Sequence, residues 1–130
     1  MDTKQSERYK EMVKLYKREE IDCCYKTAFY IYSSDEELFD VAKRYINENG
    51  IRTDAIVKEL QNKWQQPEEL IILAKVARSL FAYVTNIKGL TPYDIAYIGR
   101  KNIEVIYEAL MIFNGYHKII NINDEIKIID

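Results

Sequence analysis

From Leu70 to Val84 the sequence reads LIILAKVARSLFAYV, apolar at nearly every position. A helix written this way has no polar face to turn to water, so other elements must surround it. Lys75 and Arg78 interrupt the run, which is too short and too charged to span a bilayer. It therefore belongs at the centre of a globular domain. Pro67 fits a first helical turn, where its missing N–H is no loss, and Glu68 and Glu69 suit the positive end of the helix dipole. The spacing predicts a central helix from Pro67 to about Asn86, roughly 30 Å long.

The rest of the chain supplies helices to cover it. With 4 Gly and 2 Pro in 130 residues, breakers are too few for many short strands joined by turns. Tyr9, Met12, Val13 and Tyr16 fall at helical spacing and predict a first amphipathic helix from Glu7 to Arg18. Asp22 caps a second, which carries Tyr25, Ala28, Phe29 and Tyr32 and ends near Ser33. Ser34-Asp35-Glu36-Glu37 has the form of a capping box, and Leu38, Val41, Ala42, Tyr45 and Ile46 trace the buried face of a third helix closed by Asn49-Gly50. Thr53 caps a fourth, with Ile56, Val57, Leu60 and Trp64 along one side. Thr91-Pro92-Tyr93-Asp94 starts a short helix that Gly99 ends. Arg100 or Lys101 opens the last helix, whose apolar face is Ile103, Ile106, Tyr107, Leu110 and Met111 and whose stop is Asn114-Gly115.

After His117 the period changes. The run KIININDEIKIID alternates apolar and polar residues around Asn123-Asp124, which predicts a β-hairpin. The expected fold is thus mainly α: a compact bundle of about five to seven helices over residues 1–115, with a small C-terminal β-hairpin at 116–130 as the tail of the same domain. Ile120, Ile122, Ile126 and Ile128 are expected to form one apolar strip on that hairpin. Two outcomes fit: the strip folds back onto the bundle and gives a monomer, or two hairpins join in a homodimer, which the open strand edge and a bundle that looks complete without the tail slightly favour.

From about Glu7 to Phe113 the chain resembles an uncharacterised family, a domain of unknown function, of small helical proteins from low-GC Gram-positive bacteria and their phages. The resemblance rests on Ala28-Phe29-Tyr30-Ile31, Leu38-Phe39, Trp64-Gln65, the run Lys75-Val76-Ala77-Arg78-Ser79-Leu80-Phe81, Thr91-Pro92, Asn102, and Ala109-Leu110-Met111-Ile112. Ser79, Gln66 and Phe113 stand where the family pattern has Asn, Thr and Arg, so a site built on those positions would be missing here. The resemblance implies a helical fold in a bacterial or phage setting and brings no activity with it. The many Ile, Lys, Asn and Tyr codons, which are AT-rich, agree with that setting.

Chemistry is sparse. His117 is the single histidine, which gives neither a His-rich metal site nor a Ser-His relay, and it is expected as a solvated residue past a helix end. Cys23 and Cys24 are adjacent, so they form no ordinary disulfide; they are expected to pack as small apolar side chains in the cytoplasm. Glu19-Glu20, Asp35-Glu36-Glu37 and Glu68-Glu69 read as helix-end charges. No glycine loop cradles phosphate. Catalytic residues, metal ligands and cofactors are therefore all expected to be none. The start, MDTKQSERYK, has no apolar core and predicts no signal peptide.

The unusual feature is 11 tyrosines. Tyr9, Tyr16, Tyr25, Tyr45 and Tyr107 lie on predicted stripes and are expected in or near the core. Tyr83, Tyr93, Tyr97 and Tyr116, with Arg100 and Lys101, gather around the loops flanking the short helix. Tyr and Arg anchor protein interfaces, so this set is the candidate partner-binding surface. The resulting expectation is a non-enzymatic, cytoplasmic protein-interaction module whose partner is another protein. In a phage or mobile-element setting its concrete form is an inhibitor docking on a host or defence protein such as a CRISPR effector. One alternative is a nucleic-acid binder using the same Tyr, Arg and Lys side chains, which the net charge of −2 disfavours. Another is an enzyme of unrecognised type. No membrane partner is expected.

Overall fold

The computed structural model describes residues 1–63 and 67–130, so the expected place of Trp64 on the fourth helix, and the Gln65-Gln66 break after it, lie outside the described residues. Seven helices run in the order α1 (Thr3–Tyr16), α2 (Cys23–Ser33), α3 (Glu36–Ala42), α4 (Thr53–Asn62), α5 (Glu68–Ala82), α6 (Pro92–Ala96) and α7 (Arg100–Phe113). A two-residue hairpin, β1 (Ile46–Asn47) and β2 (Gly50–Ile51), joins α3 to α4, and the chain closes with the hairpin β3 (Lys118–Ile122) and β4 (Glu125–Ile129). The fold is mainly helical with a C-terminal hairpin, as the sequence implies.

Two helices, not one, are enveloped. α5 is buried from Leu70 to Ala77 on all sides and packs on α2, α4 and α7. It is shorter than expected, because Tyr83 turns left-handed and ends it. α2 is buried from Thr27 to Ser33 and touches α1, α3, α5 and α7. Its polar residues become compatible with burial by bonding to their own helix: Thr27 Oγ1 donates to the Cys23 carbonyl at 2.6 Å and Ser33 Oγ to the Tyr30 carbonyl at 3.0 Å. The carbonyls left over at its C-terminus are met from α1, where Gln5 Nε2 donates to Tyr30 O and Arg8 Nε donates to Ser33 O at 2.8 Å. Aromatic rings fill the seam: Tyr16 stacks on Tyr25 with centroids 4.1 Å apart, and Phe81 meets Tyr25 edge-on at 4.8 Å. Burial pushes the phenol of Tyr30 up to about 12, and the phenols of Tyr9 and Tyr32 higher still.

Several local expectations shift. α1 begins at Thr3, capped by Asp2, whose carboxylate accepts from Gln5 N–H at 2.7 Å. Asp35, not Ser34, caps α3. The Ser34 hydroxyl is instead spent on the Ile31 carbonyl at 2.6 Å. α3 stops at Ala42, a 3-10 turn follows, and Asn49-Gly50 belongs to the β1–β2 turn, where Gly50 has φ +130°. Thr53 is the first residue of α4 rather than its cap. The short α6 follows its signal closely: Thr91 and Asp94 exchange the reciprocal bonds of a capping box.

The tail folds back on the bundle. Asn123 and Asp124 both take positive φ, at 51° and 63°, and make a two-residue turn. That turn sets Ile122 opposite Glu125, Asn121 opposite Ile126 and Ile119 opposite Ile128. Cross-strand partners share a face, so Ile119, Ile126 and Ile128 line one side, and Ile120, Ile122 and Ile129 the other. The expected single strip of Ile120, Ile122, Ile126 and Ile128 is therefore split between two faces. The inner set packs on the core beside α1, where Ser6 Oγ accepts from Ile126 N–H at 3.0 Å and Lys10 Nζ donates to Asp124 O at 2.8 Å.

The face assignment is checked by paired truncations in urea unfolding. Ile126→Ala is expected to cost about 2–4 kcal/mol, and Ile122→Ala on the outer face under about 1 kcal/mol.

Candidate interaction surface

α7 carries two faces of different fate. Val105, Ile106, Ala109 and Ile112 are buried against the bundle. Ile103, Tyr107 and Leu110 are spaced four and three residues apart and lie on the opposite side of the same helix, at 40%, 58% and 42% exposure. The sequence pattern groups these three with Ile106 and Met111 as one apolar set. They are a second apolar stripe, offset by half a turn. The error has a simple source: helical spacing finds a stripe but does not say which of two apolar stripes faces inward.

The short helix α6 is fixed against the start of α7. Ile98 between them is buried, and Asn102 Nδ2 donates to its carbonyl at 2.9 Å. Gly99, at φ +84°, lets the chain reverse there. This corner presents Tyr93 and Tyr97, both more than two-thirds exposed, with ring centroids 4.9 Å apart. Arg100 and Lys101 follow in the first turn of α7, and Arg100 pairs in solvent with Glu104 at 3.0 Å. The pair sits in high dielectric and adds little to stability. The Asp94 carboxyl is held below the usual range because the Thr91 hydroxyl and N–H both donate to it.

Four of the six expected surface residues, Tyr93, Tyr97, Arg100 and Lys101, are thus brought together. The other two are not. Tyr116 lies beyond the far end of α7, a helix length of about 20 Å away. Tyr83 points its hydroxyl at the first turn of α2, 3.4 Å from Cys24 Sγ, a contact that raises its pKa. Cys23 beside it is exposed, against the expectation that both thiols pack inside. His117 also departs from the solvated residue expected: it is half-buried, with Nδ1 against the Glu108 carboxylate and Nε2 3.3 Å from Asp130.

What the sequence missed is the middle of the surface. Ile103, Tyr107 and Leu110 form an exposed apolar stripe along α7, the helix that follows the Tyr93–Tyr97 corner. On the tail, the outer residues Ile122 and Ile129 are about two-fifths exposed, while Ile126 and Ile128 are committed to the bundle. Among the described residues no helix is long and apolar enough to cross a membrane. Among them, too, no three His, Cys, Asp or Glu side chains are grouped to hold a metal ion. Comparison with protein-family models, with curated proteins and with solved structures found no match.

The two faces of α7 predict opposite mutational behaviour. Replacing Ile103, Tyr107 and Leu110 together by Ser should change stability by less than about 1 kcal/mol, whereas Ile106→Ala alone should cost about 2–4 kcal/mol by denaturant unfolding.

Proposed function

We propose that this chain is a non-enzymatic protein-interaction module that docks through the outer face of α7. The observation that supports the reading is the placement of Ile103, Tyr107 and Leu110 on a helix face that is exposed among the described residues. Three apolar anchors at that spacing suit the helix-in-groove mode, in which one face of a helix lies in an apolar groove of its partner. Tyr93 and Tyr97 extend the contact with rigid aromatic area, which loses little side-chain entropy on binding. Lys101 faces away from this stripe, toward Asp2 at the start of α1, so the contact is mainly apolar and aromatic. The partner is thus a protein with an apolar groove. A narrower form, an inhibitor of a host or defence protein such as a CRISPR effector, draws its support from the family resemblance and the AT-rich residue usage.

The same corner favours protein over nucleic acid. Arg100 is engaged by Glu104 and Lys101 lies toward Asp2, which leaves the two exposed rings without a backbone track of free cations among the described residues.

Tyr107→Glu with Leu110→Glu places two charges in the contact and leaves the core untouched. The wild-type chain is expected to capture a stoichiometric partner from a low-GC host lysate, and the double variant, with unchanged circular dichroism, to lose it. Equal capture by both chains contradicts the reading. So does a homodimer at about 100 μM by light scattering that the double variant abolishes, since the surface would then belong to a second copy.

A further inference from the structure

A second feature lies away from α7 and owes nothing to the docking surface. Between α4, α5 and the loop after Tyr83 there is an open groove of about 420 Å³. Lys58, Lys75, Arg78 and Lys88 line it, against a single carboxylate, Asp54. Among the described residues none of these four cations forms an ion pair. The residues between Lys63 and Pro67 are Trp and Gln and bring no charge that could supply one.

Lys75 is the decisive member. It sits on the enveloped part of α5 and is only 7% exposed, yet its side chain reaches the groove. The loop passes close over its ammonium: a side chain on Gly89, where φ is +76°, would come within 2.8 Å of Nζ. Asp94 is near enough to feel this charge, but its carboxylate is already engaged by the Thr91 hydroxyl and N–H. Its stem is buried while its ammonium opens into the groove, where it forms no ion pair among the described residues and three further cations repel it. A bound anion relieves that repulsion.

We propose that this groove binds a small molecule carrying a di- or triphosphate, of nucleotide size. The four cations exceed the one acid by three charges, which suits a polyphosphate and leaves a monocarboxylate short. Arg78 offers the planar fork that grips phosphate oxygens in pairs, and Lys75 supplies a point charge from the floor. The volume falls within the usual range of small-molecule pockets, and Val57 and Ile87 give an apolar wall for the rest of the ligand. These four cations converge on one groove in a chain of net charge −2, which favours a compact ligand over a nucleic-acid strand.

The test is calorimetric titration of the full chain with ADP and with inorganic pyrophosphate at about 50 mM salt. The expected result is saturable one-to-one binding that weakens at least about tenfold in Lys75→Met and in Arg78→Gln and is unchanged in Lys14→Gln, on the exposed side of α1. Lys75→Met should keep about the wild-type melting temperature, because it preserves the buried apolar stem and removes only the charge at the groove. Arg78→Gln, at a half-buried position, gives the same reading should the core variant fold poorly. Absence of saturation up to about 1 mM overturns the proposal. So does equal weakening in all three variants, or binding of a single-stranded oligonucleotide without binding of ADP or pyrophosphate.

Discussion

A helix surrounded on every side is destabilised by each polar group it leaves unmet, and α2 is such a helix. Its buried stretch, Thr27 to Ser33, mixes apolar rings with hydroxyls. Each Thr or Ser hydroxyl that went unpaired there would cost roughly 1–3 kcal/mol. Thr27 and Ser33 answer by donating to carbonyls one turn back, and Gln5 and Arg8 reach over from α1 to the carbonyls at the helix end. With α2 made self-sufficient, α5 can lie against it and α1, α3 and α7 can close around the pair. Tyr32 is the exception. Its hydroxyl is buried with no hydrogen-bond partner among the described residues, and its ring contributes packing alone.

This arrangement also decides what is left for function. α7 covers α2 and α5 with Val105, Ile106, Ala109 and Ile112, and that contact needs only one side of the helix. Ile103, Tyr107 and Leu110 are surplus to folding. Apolar residues that the core does not use are the usual raw material of an interface. The tail, by contrast, is part of the folding unit: Ile119 and Ile126 are buried, and Ser6 on α1 receives a β4 N–H. The groove above Lys75 is a third kind of surplus, of charge rather than of apolar area.

The helices themselves were legible wherever periodicity and capping agreed. Asp22, the Thr91–Asp94 box and Asn114-Gly115 mark the boundaries expected of them, because caps answer to bonds made within a few residues, while Gly99 precedes α7 rather than ending α6, which stops at Ala96. The centrality of α2 was hidden by Thr27, Ser33 and Ser34, which look polar in the sequence and are not so once bonded to their own helix. The inward side of α7 was hidden because it has two apolar stripes. The hairpin turn is where the sequence puts it, but a two-residue turn pairs Ile122 with Glu125, so even positions on one strand share a face with odd positions on the other and Ile120 and Ile122 part from Ile126 and Ile128. Lys75 and Arg78 counted in the sequence only as interruptions of an apolar run. Their convergence with Lys58 and Lys88 depends on where α4 and the loop after Tyr83 come to rest, which no local pattern encodes.

Native-state hydrogen exchange reads the central claim, that α2 and α5 together form the last unit of the fold to open. Amides from Thr27 to Ser33 and from Leu70 to Ala77 should exchange only through global unfolding, with matching free energies, and those of α6 and the outer turns of α7 well before. Faster exchange in the α2 stretch than in α1 or α7 would contradict the account, since a helix closed on all sides cannot open ahead of the elements that cover it.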